Sequence, residues 1–175
     1  MRLLSPSEFL SYVWPKKLLT HETLELRCLR REDNRLHREF CTSIDDFLEK
    51  ASAYKDWEVY FSLATRFGQD GTKVGCYRIA TLWCDLDGKT FSDCEFSIQP
   101  DILVNSGGGV HAYWLLHNPV LVRGERWVPI ENRARWLARE FGGDINTTDV
   151  SRILRVPAYF NHKYNPAREV RAYAV

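Results

Sequence analysis

Hydrophobic positions along this chain switch between alternating and helical spacing, and those switches predict its elements. Leu24 to Leu29 suits a strand, and the charged run Arg30 to Arg38 suits an exposed turn or hairpin. A helix is expected next: Ser43 can cap it, Asp45 and Asp46 favour its positive end, and Ile44, Phe47, Leu48 and Ala51 recur at helical spacing. Trp57 to Ala64 returns as a strand, followed by a glycine-punctuated loop from Phe67 to Lys73. Ile79 to Leu86 is a β-rich run compatible with a buried strand, and it carries Asp85 and Asp87 to its C-terminal end.

In the second half, Ile102 to Asn105 and His111 to Leu116 read as two strands of a hairpin, joined through a Ser-Gly-Gly-Gly turn, with Pro119 limiting the second. Ile130 to Phe141 places Ala134, Leu137, Ala138 and Phe141 at helical spacing and stops at Gly142-Gly143. Val170 to Val175 is a closing strand, and its apolar, abrupt end raises the expectation that a longer parent protein continues past it. This order of elements predicts mixed α/β layers rather than a bundle or a sandwich.

Composition narrows the picture. A chain of 175 residues, 45% hydrophobic, can bury a core of one catalytic-size module. A net charge of +1 is not that of a strongly basic nucleic-acid binder, so any such binding must use local patches. No stretch approaches the roughly 18 apolar residues of a membrane span, and the N-terminus lacks a signal peptide's apolar core, which predicts a cytoplasmic protein. Cys28, Cys41, Cys76, Cys84 and Cys94 show no paired C-x-x-C spacing and read as buried free thiols. Cys84 precedes Asp85, and strand alternation turns it to the opposite face, away from any catalytic role.

Three clusters carry candidate chemistry. Asp85 and Asp87 share one face of a strand while Leu86 points into the core, a convergence that suits a divalent cation, although Asp-Leu-Asp-Gly alone also describes an ordinary strand-end turn. Ser106 and His111 flank three glycines and Val110, so a tight reversal brings hydroxyl, imidazole and turn amides together where phosphate can approach. Alternation puts Tyr113 on the face of His111 and turns Trp114 toward the core. Asp144, after the glycine stop, is a third acidic candidate, with Asp149 its competitor; Asp149 reads mainly as structural, orienting Arg152. Arg152 and Arg155, three apart, share a face if Thr147 to Pro157 holds a short helical turn, and Lys163 adds charge to that surface.

These residues resemble the catalytic core of the archaeo-eukaryotic primase superfamily, in particular the primase-polymerases of plasmids, phages and CRISPR-associated elements. The likeness is carried by Leu82-Trp83-Cys84-Asp85-Leu86-Asp87, by Val104 to Trp114 around Ser106-Gly107-Gly108-Gly109-Val110-His111, and by Gly143-Asp144 with Arg152-Ile153-Leu154-Arg155-Val156-Pro157 running on to Asn161-His162-Lys163. Here Ala158-Tyr159 stands where many relatives carry Gly-Ser or Gly-Thr.

The resemblance implies an α/β fold in which an N-terminal unit, roughly residues 1–78, packs beside a recognition-motif-like antiparallel sheet, roughly 79–175, with the active site in the cleft. It implies that Asp85, Asp87 and Asp144 hold two Mg²⁺ or Mn²⁺ ions, and that Ser106, His111 and Arg155 contact the triphosphate of a dNTP or NTP. Arg152 and Lys163 extend that nucleotide site. Arg66, closing the strand Val59 to Thr65, resembles a position that faces nucleic acid or nucleotide. Implied partners are a single-stranded DNA template and primer, with a helicase or other replication domain in a longer parent protein. Tyr60, Tyr113 and Tyr159 are candidates to sense the sugar 2′ position. The expected activity is template-directed nucleotidyl transfer, as DNA primase, DNA polymerase or both. Its rivals are a gap-filling polymerase of the end-joining type and a non-catalytic single-strand binding module.

Overall fold

Two antiparallel sheets share one core, and each is completed by a strand from the far end of the sequence. The computed structural model describes residues 1–175. The chain opens with β1 (Arg2–Leu4) and α1 (Pro6–Val13), then runs through β2 (Glu22–Arg30), β3 (Arg35–Cys41), α2 (Ile44–Ala51), β4 (Glu58–Ser62) and β5 (Arg66–Phe67). Its second half holds β6 (Arg78–Asp87), β7 (Ile102–Asn105), β8 (Gly109–Leu121), α3 (Val128–Phe141), β9 (Ile153–Arg155), β10 (Phe160–Asn161), β11 (Arg168–Glu169) and β12 (Arg171–Ala174). One sheet has the order β1-β12-β7-β8-β6 and the other β3-β2-β4-β9, with β5 paired to the start of β2 and β10 to β11. The expected division near residue 78 is therefore crossed twice: β1 zips onto β12, and β9 adds to the sheet of the first half.

Local chemistry explains most boundaries. The Ser43 hydroxyl accepts the Asp46 amide at 3.0 Å and starts α2, while α3 ends at Gly142 in the left-handed conformation, φ 69°. Helix α1, absent from the sequence expectations, is nonetheless well signalled: Ser5 and Glu8 form a reciprocal capping box, Pro6 occupies the first turn, and Phe9, Leu10 and Val13 are buried. The expected arrest of β8 at Pro119 does not occur. Residues 116–119 bulge opposite Ala80, where no ladder amide is needed from proline, and Val120 and Leu121 rejoin Ile79 and Arg78.

Alternation sorts the faces. Leu24, Leu26 and Cys28 of β2 point into the core with Val59 and Phe61 of β4, against Phe9, Trp14 and Phe47 of the helical side. A smaller cluster under α3 holds Cys84, Leu86, Val110 and Trp114, whose ring stacks on Phe141 at 5.5 Å. Cys28, Cys41, Cys76 and Cys84 are buried thiols and Cys94 is half-buried. No helix is long and apolar enough to cross a membrane.

Candidate active site

The site begins at the register of β6 with β8, which sets Asp85 opposite His111 and Asp87 opposite Gly109. Leu86, between the carboxylates, is fully buried, so the two aspartates share the cleft face. Asp85 Oδ1 is buried without a hydrogen-bond partner, and His111 Nε2 lies 3.6 Å from it. Burial pushes the Asp85 carboxyl above its ordinary range; the nearby imidazole opposes this, and the negative charges of Asp87 and Asp144 add to it. On the other side of the ring, the buried Tyr113 hydroxyl lies 3.4 Å from His111 Nδ1, which leaves Nε2 facing Asp85.

The glycine turn closes this face. Ser106 Oγ donates to the Gly109 carbonyl at 3.1 Å and the Gly107 amide donates to Asn105 Oδ1 at 2.9 Å. The β10–β11 hairpin then clasps the turn from outside: Asn161 Nδ2 donates to the Ser106 carbonyl at 2.9 Å, and Arg168 Nη1 donates to that of Gly107 at 3.0 Å. Glycine is required for this closeness. A Cβ on Gly108 would stand 2.7 Å from the Tyr164 hydroxyl oxygen, and one on Gly109 would stand 2.6 Å from the Leu86 carbonyl oxygen.

The third cluster differs from its sequence reading. Ile153–Arg155 forms a strand rather than a helical turn, because the edge of β4 offers backbone partners in the register Tyr60 to Arg155 and Ser62 to Ile153. Arg152 and Arg155 still meet in one cavity, since Arg152 precedes the strand and is not bound by its alternation. The Asp144 amide donates to the Asp85 carbonyl at 2.8 Å, bringing its carboxylate near, and Asp144 Oδ1 caps a short 3₁₀ turn through the Asn146 amide at 2.8 Å. Asp149 pairs with Arg152 at 2.9 Å. Arg155 is ion-paired to the fully buried Glu58 and lies over the Tyr60 ring; burial and the neighbouring Arg31 push its guanidinium down to about 10.

A cavity of about 280 Å³ gathers Asp85, Asp87, Ser106, His111, Arg152, Arg155 and Lys163, together with Tyr60, Asn161 and Tyr164. Asp144 does not line the cavity, although its charge is felt by Asp85, and no three acidic, imidazole or thiol groups form a ready-made metal cage. The donors present fit a hard divalent ion that keeps water and phosphate among its ligands: Asp85 offers an orphaned buried oxygen, and Asp87 shares its cavity.

Arg66 requires correction. Its side chain is fully buried, ion-paired with Glu25 at 2.7 Å and donating to the carbonyls of Thr72 and Ser151, so it has no exposed surface for nucleotide or nucleic acid. Of the three tyrosines, only Tyr60 lines the cavity; Tyr113 is buried behind His111 and Tyr159 packs against the core. Glu58, Tyr164 and Arg168 carry no signal in the sequence reading, and Asn161 enters it only as part of the third motif. Glu58 sits inside the expected strand Trp57 to Ala64 with nothing local to mark its ion pairs, while Tyr164 and Arg168 belong to a hairpin whose strands of two residues leave no periodicity to find them by.

No family model and no curated protein matches the chain. Solved structures do. The archaeo-eukaryotic primase domain of the cyanophage S-2L primase-polymerase superposes with a TM-score of 0.67 over 86% of this chain and 80% of its own, at 16% identity. The chain has the fold of a primase-polymerase catalytic domain. The same primase fold appears in the catalytic domain of primase RepB′ in complex with initiator DNA, with a TM-score of 0.62, 17% identity, 85% of this chain and 74% of that one. A second structure of primase RepB′ gives a TM-score of 0.62 at 16% identity, with 85% of this chain matching 50% of that chain. At such identities the likeness is one of fold.

Proposed function

We propose that the chain is a template-directed nucleotidyltransferase, a primase-polymerase that adds nucleotides to a 3′-hydroxyl. The observation that carries this reading is the cavity itself, where carboxylates from β6, a hydroxyl and an imidazole from the glycine turn, and cations from the segment around β9 converge from separate parts of the sequence.

Asp85 and Asp87, with the oxygen of Asp144 not used in capping, would hold two Mg²⁺ or Mn²⁺ ions, whose chemistry is to activate the attacking hydroxyl and neutralise the leaving pyrophosphate. His111 presents Nε2 to the cavity and can donate to phosphate oxygens of a bound dNTP or NTP; the Ser106 hydroxyl, which donates to the Gly109 carbonyl in the free chain, would turn from that carbonyl to do the same. Arg152 and Arg155 face them across the cavity and offset negative charge on the triphosphate, while Lys163 stands exposed at the mouth. Holding the triphosphate between fixed donors aligns it for in-line attack. The partners of the reaction are a single-stranded DNA template and a primer end or second nucleotide.

Unprimed single-stranded DNA, labelled nucleotides and Mn²⁺ should yield a dinucleotide, and a primed template should be extended. Both products should vanish in Asp85→Ala/Asp87→Ala. A chain that binds single-stranded DNA yet forms neither product with either metal would be a binding module instead. A preference for 5′-phosphorylated gaps over open templates would assign it to the end-joining type.

A further inference from the structure

The sheet of the first half carries an outer face that the cavity chemistry leaves unexplained. Cross-strand register places Arg38 of β3 opposite Arg27 of β2, Arg27 opposite Tyr60 of β4, and Tyr60 opposite Arg155 of β9. These four side chains therefore form one row across four strands, about 15 Å long at the usual strand spacing. The helices and core lie on the other face, where Leu26 and Cys28 point. The row ends in the cavity, which Tyr60 and Arg155 line.

Two fully buried glutamates flank the row. Glu25 receives Arg27, Arg38 and Arg66, and Glu58 receives Arg31, Arg155 and the Tyr60 hydroxyl. Five guanidiniums thus answer two carboxylates, an excess of three positive charges. A network serving stability alone gains nothing from that surplus, and Arg27 facing Arg38 directly is a like-charge pair that costs stability. Side chains of Arg31 and Arg38 remain 36% and 38% exposed, so the surplus charge is open to solvent. The chain as a whole is nearly neutral, which makes this concentration on one face a local feature.

We propose that the Arg38-Arg27-Tyr60-Arg155 row is the track along which a single-stranded nucleic acid, the template of the reaction above, enters the active cavity. The proposal rests on the nucleotidyltransferase reading for the role of the strand, and on the row alone for its place. The carboxylates beneath fix the guanidiniums in position, so little side-chain freedom is lost when phosphates bind. Tyr60, tethered by its hydroxyl to Glu58, marks the point where strand and nucleotide sites meet.

The test is the affinity of the full chain for fluorescein-labelled oligothymidylate, read by anisotropy over a range of salt without metal or nucleotide. Arg27→Gln/Arg38→Gln leaves Arg66 on Glu25, so the buried carboxylate keeps its partner. Affinity should fall tenfold or more, and the slope of log affinity against log salt should drop by about 1.4, two phosphate contacts at about 0.7 each. Arg27→Lys/Arg38→Lys keeps the charge and should retain the slope, which separates a lost contact from a damaged fold. Unchanged affinity and slope in the glutamine pair would overturn the proposal, as would loss of slope in the lysine pair or no binding by the unaltered chain. Primer extension that persists while the glutamine pair binds template normally would sink the track and spare the function. Oligothymidylate binding that maps to the row, without nucleotidyl transfer in any metal, would do the reverse.

Discussion

Asp85 and His111 face each other across β6 and β8, with Oδ1 of the carboxylate 3.6 Å from Nε2 of the ring. The aspartate is largely buried and crowded by Asp87 and Asp144, and its carboxyl is pushed above the ordinary range. Without a cation, this is an arrangement that opposes folding.

That cost has a definite pH dependence. An unfolded aspartate loses its proton near pH 3.9, whereas burial delays the loss in the fold. Through that window the folded chain holds more protons than the unfolded one, so stability falls as pH rises, and the loss persists at neutral pH. Asp85→Asn should therefore melt about 2–4 °C above the unaltered chain at pH 7 in EDTA, corresponding to about 1 kcal/mol. The advantage should shrink as pH falls below the ordinary carboxylate range. Equal melting temperatures at pH 7 would show that the carboxylate is not strained.

Cations should reverse the sign of that comparison. A divalent ion that binds only the folded chain stabilises it by mass action. Mn²⁺ at a hundred times its dissociation constant should stabilise the unaltered protein by about 2.7 kcal/mol and leave Asp85→Asn/Asp87→Asn unmoved. Titration of melting temperature against Mn²⁺ measures both, and an equal response in the two proteins would place the metal elsewhere.

The glycine turn predicts unequal costs for the same substitution at adjacent positions. An added Cβ at Gly109 meets backbone, the Leu86 carbonyl oxygen at 2.6 Å and the Asp87 Cα at 2.9 Å, neither of which can yield without parting β6 from β8. Gly109→Ala should destabilise by about 2–3 kcal/mol in urea unfolding. At Gly108 the obstacle is the far end of Tyr164, so Gly108→Ala should fold with less than half that loss and turn Tyr164 out of the cavity. Tyrosine fluorescence quenching by iodide would report that movement.

Arg66 supplies the complementary case of a cation whose role lies in the fold. It holds Glu25 and reaches the Ser151 carbonyl beside Arg152. Arg66→Ala removes one partner of a buried pair and should cost about 3 kcal/mol, toward the lower end for such losses because Arg27 and Arg38 remain on Glu25. Circular dichroism melts would register that loss, while affinity for a fluorescent nucleotide, measured well below the transition, should stay within about twofold. A large affinity loss in a folded variant would restore Arg66 to the site.

The sequence made legible whatever depends on short-range pattern. Strand alternation put Asp85 and Asp87 on one face and sent Cys84 and Trp114 to the other, and Ser43 and Gly142 marked helix ends through local hydrogen bonding and left-handed geometry. Long-range pairing was the missing part. Ile153–Arg155 looked helical because three-residue spacing fits a helix, but the open edge of β4 recruits it as a strand. Arg66 looked like a strand-end cation, whereas its buried partner Glu25 lies 41 residues away. Tyr164 and Arg168 approach Gly107 and Gly108 through a hairpin too short to carry a pattern.

Ala158 offers a test of a departure visible in sequence and explained by backbone geometry. It stands where many relatives of the resembled family carry glycine, and it adopts φ 65°, with its amide donating to the Val170 carbonyl at 2.8 Å. An L-residue in that left-handed region pays about 1–2 kcal/mol that glycine avoids, offset by about 0.4–1 kcal/mol for the greater freedom of glycine in the unfolded chain. Ala158→Gly should therefore raise stability by roughly 0.5 kcal/mol. Ala158→Val, with a branched Cβ in the same conformation, should lower it by about 1 kcal/mol or more. Both substitutions sit on an exposed residue outside the cavity lining, so urea midpoints should move in opposite directions while nucleotide affinity holds constant. A midpoint lowered by glycine would mean that the backbone at 158 relaxes out of the left-handed region, and that alanine carries no penalty there.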